Sequence, residues 1–412
     1  MKKLSTDPYK GVRDFYPEDQ ALQEYIFELW RSVVKRYGYE EYNASILEPA
    51  ELYRVKSGEE IVNEQTYTFT DRGNREVTLR PEMTPTVARL VAAKKRELPF
   101  PLRWFSIPNV FRYERPQRGR LREHWQLNVD MFGAVGVDTD VEILLIAYRT
   151  MKAFGAKDSD FEIKVGSRSV LDVWKTKNNI ADDTFYAVQK LLDKKNKIDD
   201  FEGQLPALIG DTPWNLEIDE HSNSVIKKLA QYGVTNVHFD ASIVRGFDYY
   251  TGMVFEVFDT HPENNRSLFG GGRYDNLLDI FDAEKTPAVG FGMGDVTIRD
   301  FLKTRGLLPT YKPATQLALY TKTEEQAEHA TELAEFLREK GINVALTITD
   351  SPKLDKVFKA VEKLAIPYFI LVGPEETSNA TYTLRTIKNG GSRIELSKEE
   401  IAESILGRTQ DA

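Results

Sequence analysis

The 412-residue sequence has no cysteine, which excludes disulfides, thiolate metal sites and a cysteine nucleophile, and fits a reducing compartment. It has no apolar run approaching about 18 residues, so no segment reads as a membrane span and no membrane partner is expected. The opening MKKLSTDPYKGVRDF lacks the apolar stretch of a secretory leader, and the expectation is a cytoplasmic protein. There is no internal repeat and no low-complexity segment. His124, His221, His238 and His261 lack metal-ligand spacing, so no metal held by protein groups alone is predicted. What is present is ample burial: 22 Phe, 19 Tyr and 5 Trp exclude a disordered chain. The length suits two or three domains at about 150 residues each.

The 64 acidic residues outnumber the 55 basic ones, giving a net charge of −9, so a polyanionic partner would need a local basic surface. One concentration exists. Arg112, Arg115, Arg118, Arg120 and Arg122 fall within eleven residues, opposed only by Glu114. Pro116 and Gly119 at the centre break regular structure and predict a loop that displays the guanidinium groups. Such a run also fits a plain solvated face.

Apolar spacing predicts a helix from Leu22 to Tyr37 ending at Gly38, and alternation predicts a hairpin of Thr66 to Thr70 with Glu76 to Leu79. Thr84 before Pro85 reads as a helix N-cap. Leu102 to Arg112 and Trp125 to Phe132 read as antiparallel strands joined by the arginine loop, followed by a helix from Asp140 to Phe154. Residues from about 167 to 235 are lysine-rich and weakly periodic, as in an inserted subdomain. Strand signals resume at Val237 to Phe239 and Met253 to Phe258, followed by glycine-rich turns at Gly270 to Gly272 and Gly290 to Gly294. Beyond Pro309 and Pro313 strands and helices alternate: Gln316 to Thr321, Glu324 to Lys340, Ile342 to Ile348, Lys353 to Leu364 and Tyr368 to Val372. That order predicts a small α/β domain. The predicted division is 1–165 and 237–308 as a core in two parts, 166–236 as the insertion, and 309–412 as the final domain.

Three constellations carry chemistry. Glu82 and Thr84, between a strand and a helix, suit a substrate ammonium, and equally suit a surface acid and a helix cap. The arginine loop suits a polyphosphate or nucleic-acid backbone, because guanidinium forks bond phosphate oxygens in pairs. The strand after it places Gln126, Asn128 and Asp130 on one face, either solvated or the floor of a polar pocket. Third, Val244-Arg-Gly-Phe-Asp-Tyr-Tyr-Thr-Gly252 crowds an arginine, an aspartate and two phenols between glycines, which a plain turn would not use. The runs Gly270 to Asp275 and Gly290 to Gly294 follow neither the P-loop nor the dinucleotide-binding pattern.

In this order the constellations resemble the class II aminoacyl-tRNA synthetases, specifically the histidyl-tRNA synthetase family, over nearly the whole chain. Tyr42 to Pro49 is similar to the family's first motif, Phe111 to Arg122 with its following strand to the second, Gly290 to Gly294 to part of the third, and Arg245 to Tyr250 to a segment characteristic of the histidyl enzymes. The resemblance implies an α+β catalytic core on a mixed, mainly antiparallel sheet, with a C-terminal α/β anticodon-binding-like domain. It implies a homodimer that activates histidine with ATP, carried with Mg²⁺, and passes it to the 3′ end of tRNA(His).

By resemblance Arg112, Glu114 and Arg120 bind ATP. Glu82, Thr84, Gln126, Asp130, Arg245, Tyr249 and Tyr250 hold histidine, with Asp130 and Tyr250 on the imidazole and Arg245, with Arg112, acting in catalysis. Gln117, Arg118 and Arg122 are candidates to meet the tRNA acceptor end. The chain departs from the pattern twice. Asp130 stands where Glu is common. Thr297 stands where the third motif carries an arginine for the γ-phosphate, and Arg299 lies two residues on, about 200° round a helix. A non-catalytic paralogue, either a regulatory subunit of histidine biosynthesis or an RNA-binding protein, is the alternative.

Overall fold

The computed structural model describes residues 4–54, 65–193, 195, 200–243, 249–264, 266–349, 353–387 and 391–410. The chain divides into two units, Met1–Pro309 and Thr310–Ala412. No helix among the described residues is long and apolar enough to cross a membrane.

The first unit is built on strands β1 (Glu40–Glu41), β2 (Leu47–Pro49), β3 (Tyr67–Thr70), β4 (Glu76–Leu79), β5 (Leu102–Ser106), β6 (Asn109–Phe111), β7 (Glu123–Phe132), β8 (Phe161–Ser167), β9 (Val237–Phe239), β10 (Met253–Asp259), β11 (Ser267–Arg273) and β12 (Ala288–Gly294). The main sheet runs β1-β5-β7-β12-β11-β10-β8-β9, with β6 continuing β5 against β7, and β2-β4-β3 forms a separate small sheet. Only β1–β5 and β8–β9 are parallel; the other pairs in the main sheet are antiparallel. A break at Ile107-Pro108 divides the single strand expected from Leu102 to Arg112, since proline has no N–H for the ladder.

The longer helices of the unit are α1 (Pro17–Lys35), α2 (Thr84–Lys94), α3 (Val137–Ala153), α4 (Arg168–Lys177), α5 (Asp182–Asp193), α6 (Phe201–Ile209), α7 (Glu220–Gln231) and α8 (Asp295–Thr304). Strand alternation sorts the two faces of the sheet. Leu127, Val129 and Met131 of β7 and Val289, Phe291 and Met293 of β12 enter one core with Trp30 of α1, Leu144 of α3 and Phe301 of α8. The residues between them face the other way, toward α2 and the functional cavities.

Three expectations change here. The glycine runs at Gly270 to Gly272 and Gly290 to Gly294 are central strands, not turns. At Gly271, Gly272 and Gly290 the neighbouring backbone leaves no room: a Cβ on Gly271 would stand 2.0 Å from the Gly290 carbonyl oxygen. Thr84 is the first helical residue of α2 rather than its cap. The stretch read as lysine-rich and weakly periodic holds four helices, of which α4, α5 and α6 share a core around Leu171, Trp174 and Val188. The fourth, α7, buries Val225 and Leu229 in the main core instead. Its Asp219 cap accepts from the Ser222 amide at 2.7 Å.

The second unit has strands β13 (Leu317–Thr321), β14 (Val344–Thr347), β15 (Tyr368–Val372), β16 (Tyr382–Thr386) and β17 (Arg393–Leu396) with helices α9 (Ala327–Glu339), α10 (Leu354–Lys363) and α11 (Lys398–Gln410). The order is β14-β13-β15-β16-β17; the first three are parallel, as alternating strands and helices predict, and the last two add an antiparallel edge. α9 closes before Gly341, whose φ of +88° only glycine adopts readily.

Candidate active site

Two cavities open on the face of the sheet opposite the α1–α3 core. The smaller, about 30 Å³, is lined by Glu82, Thr84, Gln126, Asn128, Asp130, Tyr249, Tyr250 and Tyr274 over a floor of Gly290 and Gly292. The larger, about 690 Å³, lies along the arginine loop. Arg112 and Gln126 line both, so the two share a wall.

The floor depends on register. Gly290 pairs with Asp130, and Gly292 with Asn128. A Cβ on Gly290 would stand 2.4 Å from the Val129 carbonyl oxygen, 2.7 Å from Asp130 Oδ1 and 2.8 Å from the Tyr274 hydroxyl; one on Gly292 would meet Gln126 Nε2 at 2.6 Å. The third-motif glycines therefore make the space that the β7 side chains fill. Gln126, Asn128 and Asp130 do form the polar wall of a pocket.

Asp130 is 4% exposed. Its Oδ1 accepts from the Tyr274 hydroxyl, while its Oδ2 is buried without a hydrogen-bond partner. Burial pushes the carboxyl up to about 7, and the Tyr274 hydrogen bond opposes that rise. A buried, half-satisfied carboxylate facing a cavity is a place for a ligand N–H. Glu82 is 3% exposed, not a surface acid, and its Oε2 accepts from the Tyr249 hydroxyl at 3.0 Å. The same hydroxyl lies 3.5 Å from Thr84 Oγ1. The loop carrying Glu82 is fixed by Arg80, whose buried guanidinium donates to the carbonyls of Asn109 at 2.9 Å and Ala44 at 2.8 Å. Tyr249 and Tyr250 stack obliquely at 4.9 Å and are both buried. Arg245 lies outside the described residues.

The loop arginines divide. Arg112 donates from Nε to the Pro81 carbonyl at 2.8 Å and presents its guanidinium to both cavities. Arg120 lines the larger cavity and pairs with Glu114 at 3.4 Å. Gln117 lines it too, bridged to Arg120 across the loop tip. Arg118 turns away to Asp300 of α8 at 2.7 Å and to the Thr304 hydroxyl at 3.1 Å, so it fastens the loop. Arg122 overturns the expectation of display: it is 9% exposed, donates to the Glu114 carbonyl and the Tyr9 hydroxyl, and lies 4.0 Å from the Tyr113 ring centre. Its charge is met within the fold, against the 9–11 segment.

Tyr274, Arg80, His124 and Arg266 are site residues that the sequence reading missed. Tyr274 followed a glycine run read as a turn, and only the strand pairing puts it on Asp130. His124 lines the larger cavity, where burial, Arg112 and Arg13 push its pKa down to about 3, so it is a neutral ring. At the third-motif position, the Thr297 hydroxyl lies 2.7 Å from the Leu268 carbonyl oxygen. Arg299 pairs with Asp19 of α1, away from the cavity, as its rotation on the helix predicts.

Comparison with known proteins agrees with this geometry. A family model described as histidyl-tRNA synthetase matches residues 11–202 and 212–296, and one described as an anticodon binding domain matches 316–408. The chain is 43% identical over 410 residues to a histidine–tRNA ligase of Leptospira biflexa, covering 93% of this chain and 94% of that one. It is 36% identical over 418 residues to a histidine–tRNA ligase of Thermoplasma volcanium, covering 95% and 96%. A histidyl-tRNA synthetase structure from a Nostoc species shares the fold with a TM-score of 0.78 at 22% identity, covering 98% of this chain and 100% of that one. With two polar cavities set on one mainly antiparallel sheet and a match along both units, the chain belongs to the histidyl-tRNA synthetase family.

Proposed function

We propose that this protein is a histidine–tRNA ligase. The histidine carboxylate attacks the ATP α-phosphorus, a P–O bond forms, pyrophosphate leaves, and the histidyl-adenylate then transfers its acyl group to the 3′ end of tRNA(His). The observation that carries the reading is the unpartnered Asp130 Oδ2 in a small cavity that shares Arg112 and Gln126 with a larger cationic one.

The small cavity suits the amino acid. Asp130 accepts an imidazole N–H, Tyr250 meets the other ring nitrogen, and Glu82, Thr84 and Gln126 receive the α-ammonium, with Tyr249 fixing Glu82. Amino acids lacking two ring nitrogens leave a buried polar group unpaired and are rejected strongly. The larger cavity suits ATP, its Mg²⁺ arriving with the phosphates, with Arg112 toward the α-phosphate, Glu114 toward the base and Arg120 toward the outer phosphates. Attack needs no general base, since the carboxylate is already ionised at neutral pH. The protein supplies orientation and charge as pyrophosphate departs. Arg245 is assigned, by resemblance, to the substrate carboxylate and α-phosphate. Gln117 remains the loop-tip candidate for the acceptor end.

A homodimer is supported by the small sheet. Leu47, Leu79 and Tyr67 are cross-strand partners, as are Pro49, Val77 and Phe69, so all six share one face. Leu47 is 43% exposed and Phe69 48%, while Glu48 and Thr78, on the other face, are buried. An apolar outward face of this kind calls for a partner, and a second copy by two-fold symmetry is the simplest.

The test is histidine-dependent ATP–pyrophosphate exchange, with the other nineteen amino acids as controls. Exchange with histidine alone is expected. Histidine binding without exchange would overturn the ligase reading in favour of a non-catalytic paralogue.

A further inference from the structure

The end of the larger cavity beside Thr297 holds a guanidinium that no motif assigns. Among the described residues lining this cavity the cations are Arg112, Arg120 and Arg266, since His124 is held neutral. Arg112 sits at the wall shared with the small cavity, and Arg120 is paired with Glu114. Arg266, immediately before β11, lines the cavity with Thr297 and Gly119. A Cβ built on Gly119 would stand 2.9 Å from Arg266 Nη1 and 3.8 Å from the Thr297 methyl, so loop, guanidinium and threonine meet at one point. Nη1 of Arg266 donates to the Arg118 carbonyl of the loop tip. A guanidinium has five N–H donors in a planar fork, so one bond to a carbonyl leaves donors for phosphate oxygens.

We infer that Arg266 binds the outer phosphates of ATP, supplying from the β10–β11 connection the positive charge that Thr297 does not. The inference rests on the reading of this chain as an ATP-dependent ligase. The same side chain, through the Arg118 carbonyl, holds the loop tip over the polyphosphate. Arg299 cannot serve, being paired with Asp19 on α1.

The experiment measures ATP and AMP dissociation constants by calorimetry on the full chain, for wild type, Arg266→Gln, Arg266→Lys and the double variant Arg266→Gln with Thr297→Arg. Gln keeps an amide for the Arg118 carbonyl while removing the charge, which separates phosphate binding from loop support. Arg266→Gln is expected to weaken ATP at least about tenfold, the scale of a charged hydrogen bond, and AMP less than about twofold. Lys recovers part of the ATP affinity, and Thr297→Arg recovers it from the neighbouring position. The histidine dissociation constant stays at the wild-type value in each. Equal weakening of ATP and AMP, or no change in either, overturns the assignment. Wild-type protein that fails to bind ATP overturns the ligase reading as well. Wild type that exchanges pyrophosphate while Arg266→Gln binds ATP normally removes Arg266 alone.

Discussion

The two cavities differ in how their polar groups are held. The small one stands on strands: its carboxylates, Asp130 of β7 and Glu82 of the loop before α2, are buried, each held by a tyrosine, over strand glycines that leave no slack. The large one lies between the arginine loop and strands β7, β10, β11 and β12, and its cations reach in on long side chains, Arg112 half-buried and Arg120 and Arg266 exposed. A small amino acid is distinguished by unpaired buried groups, which demand rigid placement. A polyphosphate is held by charge that tolerates displacement, because the guanidinium groups stay near water and lose little solvation. The difference predicts that the small cavity fails sharply on small changes, whereas the large one degrades gradually.

The largest effect is expected from Gly290→Ala. The new methyl meets the Val129 carbonyl 2.4 Å away, which cannot move without breaking the β7–β12 ladder. Histidine affinity should fall by about a hundredfold or more, the scale of a misplaced reacting group, with ATP affinity near wild type. Gly292→Ala, which meets only the Gln126 side chain, should cost less. If calorimetry shows the two variants alike, the rigidity of the floor is not what matters.

Next in size is Tyr274→Phe, which strips Asp130 Oδ1 of its donor. Leaving a buried acceptor unpaired costs about 1–3 kcal/mol, read as a weaker histidine dissociation constant with the ATP value unchanged. Normal histidine binding by this variant would show that Asp130 does not need the phenol.

A smaller effect is expected with pH. Asp130 ionises near 7, so the carboxylate that accepts an imidazole N–H is present above that pH and is lost below it. Histidine affinity should drop a few-fold between about pH 8 and pH 6, more steeply than in Asp130→Asn, which retains only the ligand's own titration. The unliganded protein carries the opposite sign. Its unfolded carboxyl is ionised above about 4, so stability falls as pH rises from there to about 7. Denaturant titrations of wild type and Asp130→Asn would read that slope, and identical slopes would place the carboxyl in water.

The smallest effect on function should come from Arg122→Ala. The side chain joins the Glu114 carbonyl to Tyr9 and Tyr113, so the variant should melt a few degrees lower without a change in tRNA affinity. A weakened tRNA complex with unchanged melting would return Arg122 to the surface.

Much of this was legible from the chain. Period-two alternation placed Gln126, Asn128 and Asp130 on one face, because side-chain direction in a strand is a local property. Pro116 and Gly119 marked the arginine loop, since both bias the backbone wherever they occur. The helix from Leu22, the hairpin and the alternation after Pro313 followed from spacing in the same way. The glycine strands did not, because glycine reads locally as a turn and only a neighbouring strand shows that the missing Cβ is an approach distance.

What the sequence determined by itself was therefore the strongly periodic elements, the direction of the polar faces and the family. The tertiary structure decided which of five neighbouring arginines reach a cavity and which hold the fold together. Asp300 captures Arg118, Tyr9 captures Arg122, and Arg266 reaches the loop at Gly119 from the β10–β11 connection. A guanidinium's role is set by its partners in space, and for Arg118, Arg122 and Arg266 one of those partners lies more than a hundred residues away along the chain.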